Sequence, residues 1–223
     1  MAWVLGVGGL LACGGDVSEQ SEAFEPGPAP AESSIAPAPE ELERTLVVFL
    51  GDSLTAGLGL DAEQAFPHLV EETLLAEGFE VRVVNAGVSG DTVAGGRSRL
   101  GWLLHQEPDV LVVGLGANDG LRGLDLQASE EHLRAIVKDG QAAGVEILLL
   151  GMLIPPNYGQ DYSEAFASMY PRIAEETGVP LVPFMLEGVA GDPEFNLPDG
   201  VHPNAEGQEI IAETVLEHLK PML

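Results

Sequence analysis

The sequence is poor in cysteine and in positive charge, and each shortage excludes some chemistry. Cys13 is the single cysteine in 223 residues, so no internal disulfide forms and no cysteine-built metal site exists. Lys and Arg number nine against 36 Asp and Glu, a formal charge of −27. A surface this acidic has no electrostatic attraction for nucleic acid or an anionic bilayer, so neither is an expected partner. Long hydrophobic runs are also missing. The apolar run from Trp3 to Leu11 is too short to span a bilayer as a helix. No His-Glu-x-x-His or comparable cluster suggests a catalytic metal. Glycine-rich pieces such as Gly114-Leu115-Gly116 lack the full spacing of a dinucleotide fingerprint. No cofactor is expected.

What is present divides the chain into three parts. Residues 1–13 end in Leu10-Leu11-Ala12-Cys13, followed by Gly14, which resembles the lipobox of bacterial lipoproteins, where the cysteine is lipidated and becomes the mature N-terminus. A basic start, usual for a secretory leader, is missing here, where only the α-amino group is positive. Residues 14–44 are rich in Pro, Ala, Glu, Ser and Gly, with Phe24 their one aromatic residue. Such a segment buries too little apolar area to offset chain entropy, so a flexible acidic tether is expected. Eight of the 36 acidic residues lie in 16–43, where there is no Lys or Arg. The other 28 face all nine bases from Arg44 onward, so residues 45–223 form an acidic domain, solvated by that charge. Anchor, tether and domain together predict a secreted envelope lipoprotein, periplasmic or held at the outer membrane. It touches the membrane through its anchor alone, and a monomer is expected.

From Thr45 onward short apolar runs alternate with helical stretches. Strands are predicted at Leu46–Leu50, Val81–Asn85, Val110–Leu115, Val145–Leu150 and Leu181–Phe184. Helices are predicted near Ala62–Glu77, Ala94–His105, Leu126–Ala143, Ser163–Thr177 and Ala205–Leu219, with Gly78, Gly144 and Gly178 as stops. Strands that read as continuous hydrophobics between helices predict an α/β fold with a five-stranded parallel sheet covered on both faces.

Polar clusters follow the first three strands: Gly51-Asp52-Ser53, Asn85 to Asp91, and Gly116 to Gly120. Parallel strands share one direction, so these loops converge on one edge of the sheet, where ligands of such sheets bind. A fourth cluster, Asp199-Gly200-Val201-His202, precedes the last helix. Taken alone, Gly51-Asp52-Ser53 is equally compatible with a helix cap. The other clusters supply what a nucleophile lacks. A serine hydroxyl needs an adjacent base, and His202 is the candidate, oriented by Asp199 through its Nδ1–H. Attack on an acyl carbonyl creates an oxyanion, for which the Ser53 N–H, the Gly90 N–H and the Asn118 side-chain amide are candidate donors.

Together Gly51-Asp52-Ser53-Leu54, Gly90, Gly116-x-Asn118-Asp119 and Asp199-x-x-His202 resemble the four signature blocks of the SGNH (GDSL) hydrolases. The resemblance runs from Thr45 to Leu223. Longer phrases such as Ser89-Gly90-Asp91-Thr92 and Asn118-Asp119-Gly120-Leu121-Arg122-Gly123 are similar to the bacterial arylesterase, thioesterase and lysophospholipase group. The resemblance implies a flavodoxin-like three-layer α/β/α sandwich and metal-free hydrolysis of small-molecule or lipid esters. It implies Ser53 as nucleophile, His202 as base, Asp199 as its orienter, and Gly90 and Asn118 as oxyanion donors. An α/β-hydrolase is excluded, since no Gly-x-Ser-x-Gly elbow occurs.

The loop Ile154 to Tyr162 carries two prolines and two tyrosines. In this group the region borders the acyl or aryl pocket, so Tyr158 is expected there with Leu54 and Leu121. A surface loop tucked against the sheet is the plainer alternative. His68, His105, His132 and His218 are expected in ordinary surface or packing roles, and Ser89 as a turn residue. Asp52 is expected to bond nearby backbone, Asp91 to cap or fix its loop and Asp119 to brace the Asn118 turn. Carboxylic esters, thioesters and lysophospholipids are the expected substrates, by way of an acyl-serine. A carbohydrate O-deacetylase is the alternative enzyme, and a non-catalytic surface-binding lipoprotein the alternative outside enzymes.

Overall fold

The computed structural model describes residues 44–223. The expected leader ending at Cys13 and the expected acidic tether, apart from Arg44, lie outside the described residues. Strand β1 (Thr45–Gly51) is followed by the short helix α1 (Ser53–Ala56), α2 (Phe66–Ala76) and β2 (Val81–Gly87). Then come α3 (Val93–Leu104), β3 (Val110–Gly114), α4 (Ala117–Leu121), α5 (Leu126–Ala142) and β4 (Glu146–Leu150). Helix α6 (Gln160–Thr177), β5 (Leu181–Val182) and α7 (Ala205–Leu219) complete the order.

All five strands run parallel in the order β2-β1-β3-β4-β5. From β1 the chain moves out to β2, then crosses back to β3 on the other side. The crevice at the carboxyl end of β1 is therefore the switch point of the sheet. Residues Leu46 to Leu50 and Val110 to Val113 are buried without a break, so helices cover both faces. Helix α2 packs on α7, while α5 packs on both α3 and α6. The predicted three-layer α/β architecture and its five parallel strands are what the chain adopts.

Of the boundaries that differ from the sequence expectation, two have a clear backbone reason. The predicted helix Ala62–Glu77 is broken into a 3₁₀ turn (Ala62–Gln64) and α2, with Ala65 extended between them. Pro67 stands in the first turn of α2, and its ring would clash with the carbonyl four residues back in a continuous helix. The freed Phe66 N–H donates to Oε1 of buried Gln208, 2.8 Å away on α7. Strand β5 ends at Val182 because Pro183 has no N–H to extend the ladder. The sequence reading also lacked α1 and α4, which are four and five residues long. Both are too short to show a helical period, and both carry residues of the site.

Candidate active site

Ser53 opens α1 directly beyond β1. Asp52 caps that turn, accepting the Leu54 N–H at 3.0 Å, and Gly57 closes it in the left-handed conformation with φ 70°. As first residue of a helix, Ser53 has no intrahelical acceptor for its N–H. The Ser53 hydroxyl is 2.9 Å from Nε2 of His202, 149 residues away. Nδ1 of the same ring is 2.7 Å from Oδ2 of Asp199. An ionised carboxylate only accepts, so Nδ1 carries the ring hydrogen and Nε2 turns its lone pair to Ser53.

The Asp199-to-His202 turn is held by its own backbone. Asp199 Oδ1 accepts the N–H groups of Val201 at 2.9 Å and His202 at 3.0 Å. These bonds, that of the His202 backbone first, hold the Asp199 carboxyl down at about 2. The turn is anchored at its base: the Leu197 N–H donates to the His202 carbonyl at 2.7 Å, and Asn204 caps α7 through Gly207 N–H.

Asn118 stands at the second position of α4. Its Nδ2 donates to the Asp91 carbonyl at 3.0 Å and to Oδ2 of Asp52 at 3.3 Å. Gly116 makes the sharp entry into this helix at φ 120°, and any side chain there would collide with the Tyr170 hydroxyl. Gly90, at φ 81° in the loop after β2, occupies another conformation that favours glycine. Asp52 is buried, and desolvation pushes its carboxyl up to about 6 against the pull of the Leu54 N–H, the Asn118 amide and His202.

Residues 49–210 match the GDSL-like lipase/acylhydrolase family. The chain belongs to that family. It is 45% identical over 181 residues to the esterase TesA of Pseudomonas aeruginosa, an alignment covering 81% of this chain and 90% of that one. It is 43% identical over 178 residues to the thioesterase 1/protease 1/lysophospholipase L1 of Escherichia coli, covering 79% and 84%. A crystal structure of TesA superimposes with a TM-score of 0.78 at 44% identity, covering 80% of this chain and 99% of that one.

In this GDSL-like chain a cavity of about 240 Å³ opens beside Ser53 and His202. Leu54 and Leu121 line it, as the sequence predicts, with Ile154 and Pro155 from the loop after β4. Tyr158 does not. Its hydroxyl donates to the Leu121 carbonyl at 2.9 Å, outside the lining. That carbonyl lies in the last turn of α4, where backbone acceptors lack helical partners. Asp91 fixes its loop without capping α3: Thr92 is the cap, while Asp91 pairs with Arg99 at 2.8 Å. Asp119 reaches past its own turn, accepting from the Val93 N–H and the Ser129 hydroxyl.

The sequence reading missed two arginines and the far wall of the cavity. Arg99 donates to Asp91, to the Ala86 carbonyl at 2.7 Å and to the Gly51 carbonyl at 3.0 Å, stitching the ends of β1 and β2. Arg122 bridges the Gly90 carbonyl and Oδ1 of Asn118. Met152, Phe184, Leu186 and Val201 supply cavity wall. Apart from the four-residue step from Asn118 to Arg122, spacing carries no signal for them, because they act across loops that only the folded sheet edge brings together.

Proposed function

We propose that this chain is a serine hydrolase of carboxylic esters and thioesters. The single observation that supports it best is the aligned Ser53–His202–Asp199 chain, at 2.9 and 2.7 Å, beside an apolar cavity. Ser53 Oγ attacks the acyl carbonyl carbon while His202 Nε2 takes the hydroxyl proton. Asp199 stabilises the imidazolium formed. The carbonyl π electrons move onto oxygen, and the oxyanion is received by the Ser53 N–H, the Gly90 N–H and the Asn118 Nδ2 hydrogen that leaves its long 3.3 Å bond to Asp52. Collapse breaks the bond to the alcohol or thiol, which leaves with the proton from His202. Water then attacks the acyl-serine with His202 again as base, releasing the acid and restoring Ser53. The apolar cavity wall supports aryl, lipid and longer acyl groups over an acetylated sugar.

Ser53→Ala tests the reading on p-nitrophenyl esters of graded acyl length and on an acyl thioester. The expected loss of kcat is on the order of 10⁴-fold or more, with the melting temperature held. Turnover retained in Ser53→Ala sinks the mechanism. The lipobox-like Leu10 to Gly14 supports a lipid anchor on Cys13 and an envelope location. Radiolabelled palmitate is then incorporated by the wild type and lost in Cys13→Ala; equal labelling of both refutes the anchor.

A further inference from the structure

We propose that Arg122 is a positioning residue for ester hydrolysis, orienting and polarising the Asn118 oxyanion donor while one shared guanidinium nitrogen ties it to the Gly90 loop. The inference rests on the reading of Gly90 and Asn118 as those donors. Arg122 Nη2 donates to the Gly90 carbonyl and to Asn118 Oδ1, each at 3.0 Å. Gly90 follows β2 and Asn118 follows β3, so one group ties together two loops that share no strand pairing.

Where this arginine spends its charge is informative. Among the described residues, six of the nine Lys and Arg side chains lie within 4.0 Å of a carboxylate: Arg44, Arg99, Arg134, Lys138, Arg172 and Lys220. Arg122, in a chain with so large an acid excess, meets two neutral carbonyl oxygens instead. It reaches Asn118 by helical spacing, four residues on along α4, and its own N–H closes that turn on the Asn118 carbonyl at 3.1 Å.

Two physical effects follow. A guanidinium only donates, so the Asn118 atom facing it is the oxygen, and Nδ2 is thereby turned inward to Asp52 and Asp91. The amide therefore cannot flip without opposing donor to donor. A charge-assisted bond at Oδ1 also draws electron density from Nδ2, which strengthens its N–H as a donor. The oxyanion is more negative than a substrate carbonyl, so the stronger donor benefits the transition state more than the bound ester.

The test compares Arg122→Ala, Arg122→Lys and Asn118→Ala with wild type on a neutral p-nitrophenyl ester, alongside the double variant Asn118→Ala/Arg122→Ala. Arg122→Ala lowers kcat by roughly 10- to 30-fold, less than the ~10²–10³ of deleting a donor itself, with KM within about twofold. Affinity for a boronic acid that mimics the tetrahedral state falls by the same factor, while affinity for the fatty-acid product holds. Arg122→Lys recovers part of kcat, since an ammonium donates to Oδ1 without the planar fork. Because Arg122 acts through Asn118, the double variant is no slower than Asn118→Ala by more than about threefold. Fully multiplying losses, a KM effect alone, or a loss confined to anionic acyl thioesters overturns the proposal. If Asn118→Ala itself keeps wild-type kcat, the oxyanion reading fails first, separately from the role of Arg122.

Discussion

Asp52 and Asp199 flank the same serine and histidine, yet their surroundings drive them in opposite directions. Asp199 is half exposed and collects the Val201 N–H, the His202 N–H and the His202 ring, which hold it at about 2. Asp52 collects the Leu54 N–H and the Asn118 amide, yet it rises to about 6. The difference lies less in the number of donors than in water. Around Asp52 the desolvation cost of charge exceeds what its donors return, whereas Asp199 keeps solvent on one side. One carboxylate is thus a permanent anion able to stabilise an imidazolium, and the other balances near neutrality against the nucleophile.

The largest break in that comparison is Asp199→Asn. An amide there can present its NH₂ to Nδ1, favouring the tautomer that places hydrogen on Nε2 facing Ser53. A fall in kcat/KM on the order of 10⁴-fold is expected on a p-nitrophenyl ester; a loss below tenfold would remove Asp199 from its orienting role.

Asp52→Asn is the smaller and more discriminating change. Its Oδ1 still accepts the Leu54 N–H, but its NH₂ then faces Asn118 Nδ2, donor against donor. We expect kcat to fall roughly 10- to 100-fold with KM little changed. Unchanged kcat would reduce Asp52 to a helix cap.

The same variant reads the carboxylate thermodynamically, and its sign is opposite to that of Asp199. The folded pKa of Asp52 lies above the ordinary value of 3.8, so the native state binds the proton more tightly than the unfolded chain. That contribution to stability is present at low pH and fades as pH rises from about 4 to about 6. Its ceiling is roughly 3 kcal/mol, for a shift of about two pH units. Asp199, held at about 2, contributes stability above about 4 that is lost as pH falls toward 2. In denaturant melts across pH 4 to 7, the stability of wild type minus that of Asp52→Asn should therefore fall, by up to that ceiling, as pH rises to about 6. A difference independent of pH would contradict the assignment.

Much of this was legible in the chain itself, and the reasons are local. The strands read as unbroken apolar runs because a two-sided parallel sheet leaves no polar face. The four polar clusters stood out because backbone constraints demand glycine at Gly90 and Gly116, and because Asp199 and His202 are only three residues apart. The split before α2 came from Pro67, whose effect within a polar, helix-like stretch is easily read as continuation. An aromatic residue in a loop near the site suggests lining, whereas the Tyr158 hydroxyl finds an acceptor on α4.

The sequence by itself determined the alternation of strands and helices, the shared edge on which the loops meet, and the residue types able to attack, accept a proton and bind an oxyanion. Those follow from period, direction and chemistry, which are properties of short segments. Only the tertiary structure decided that Asp52 is dry, that Arg99 and Arg122 stitch separate loops, and which side chains wall the cavity. Burial and cross-loop bonds depend on residues dozens of positions apart arriving at one place. No window along the chain contains that information.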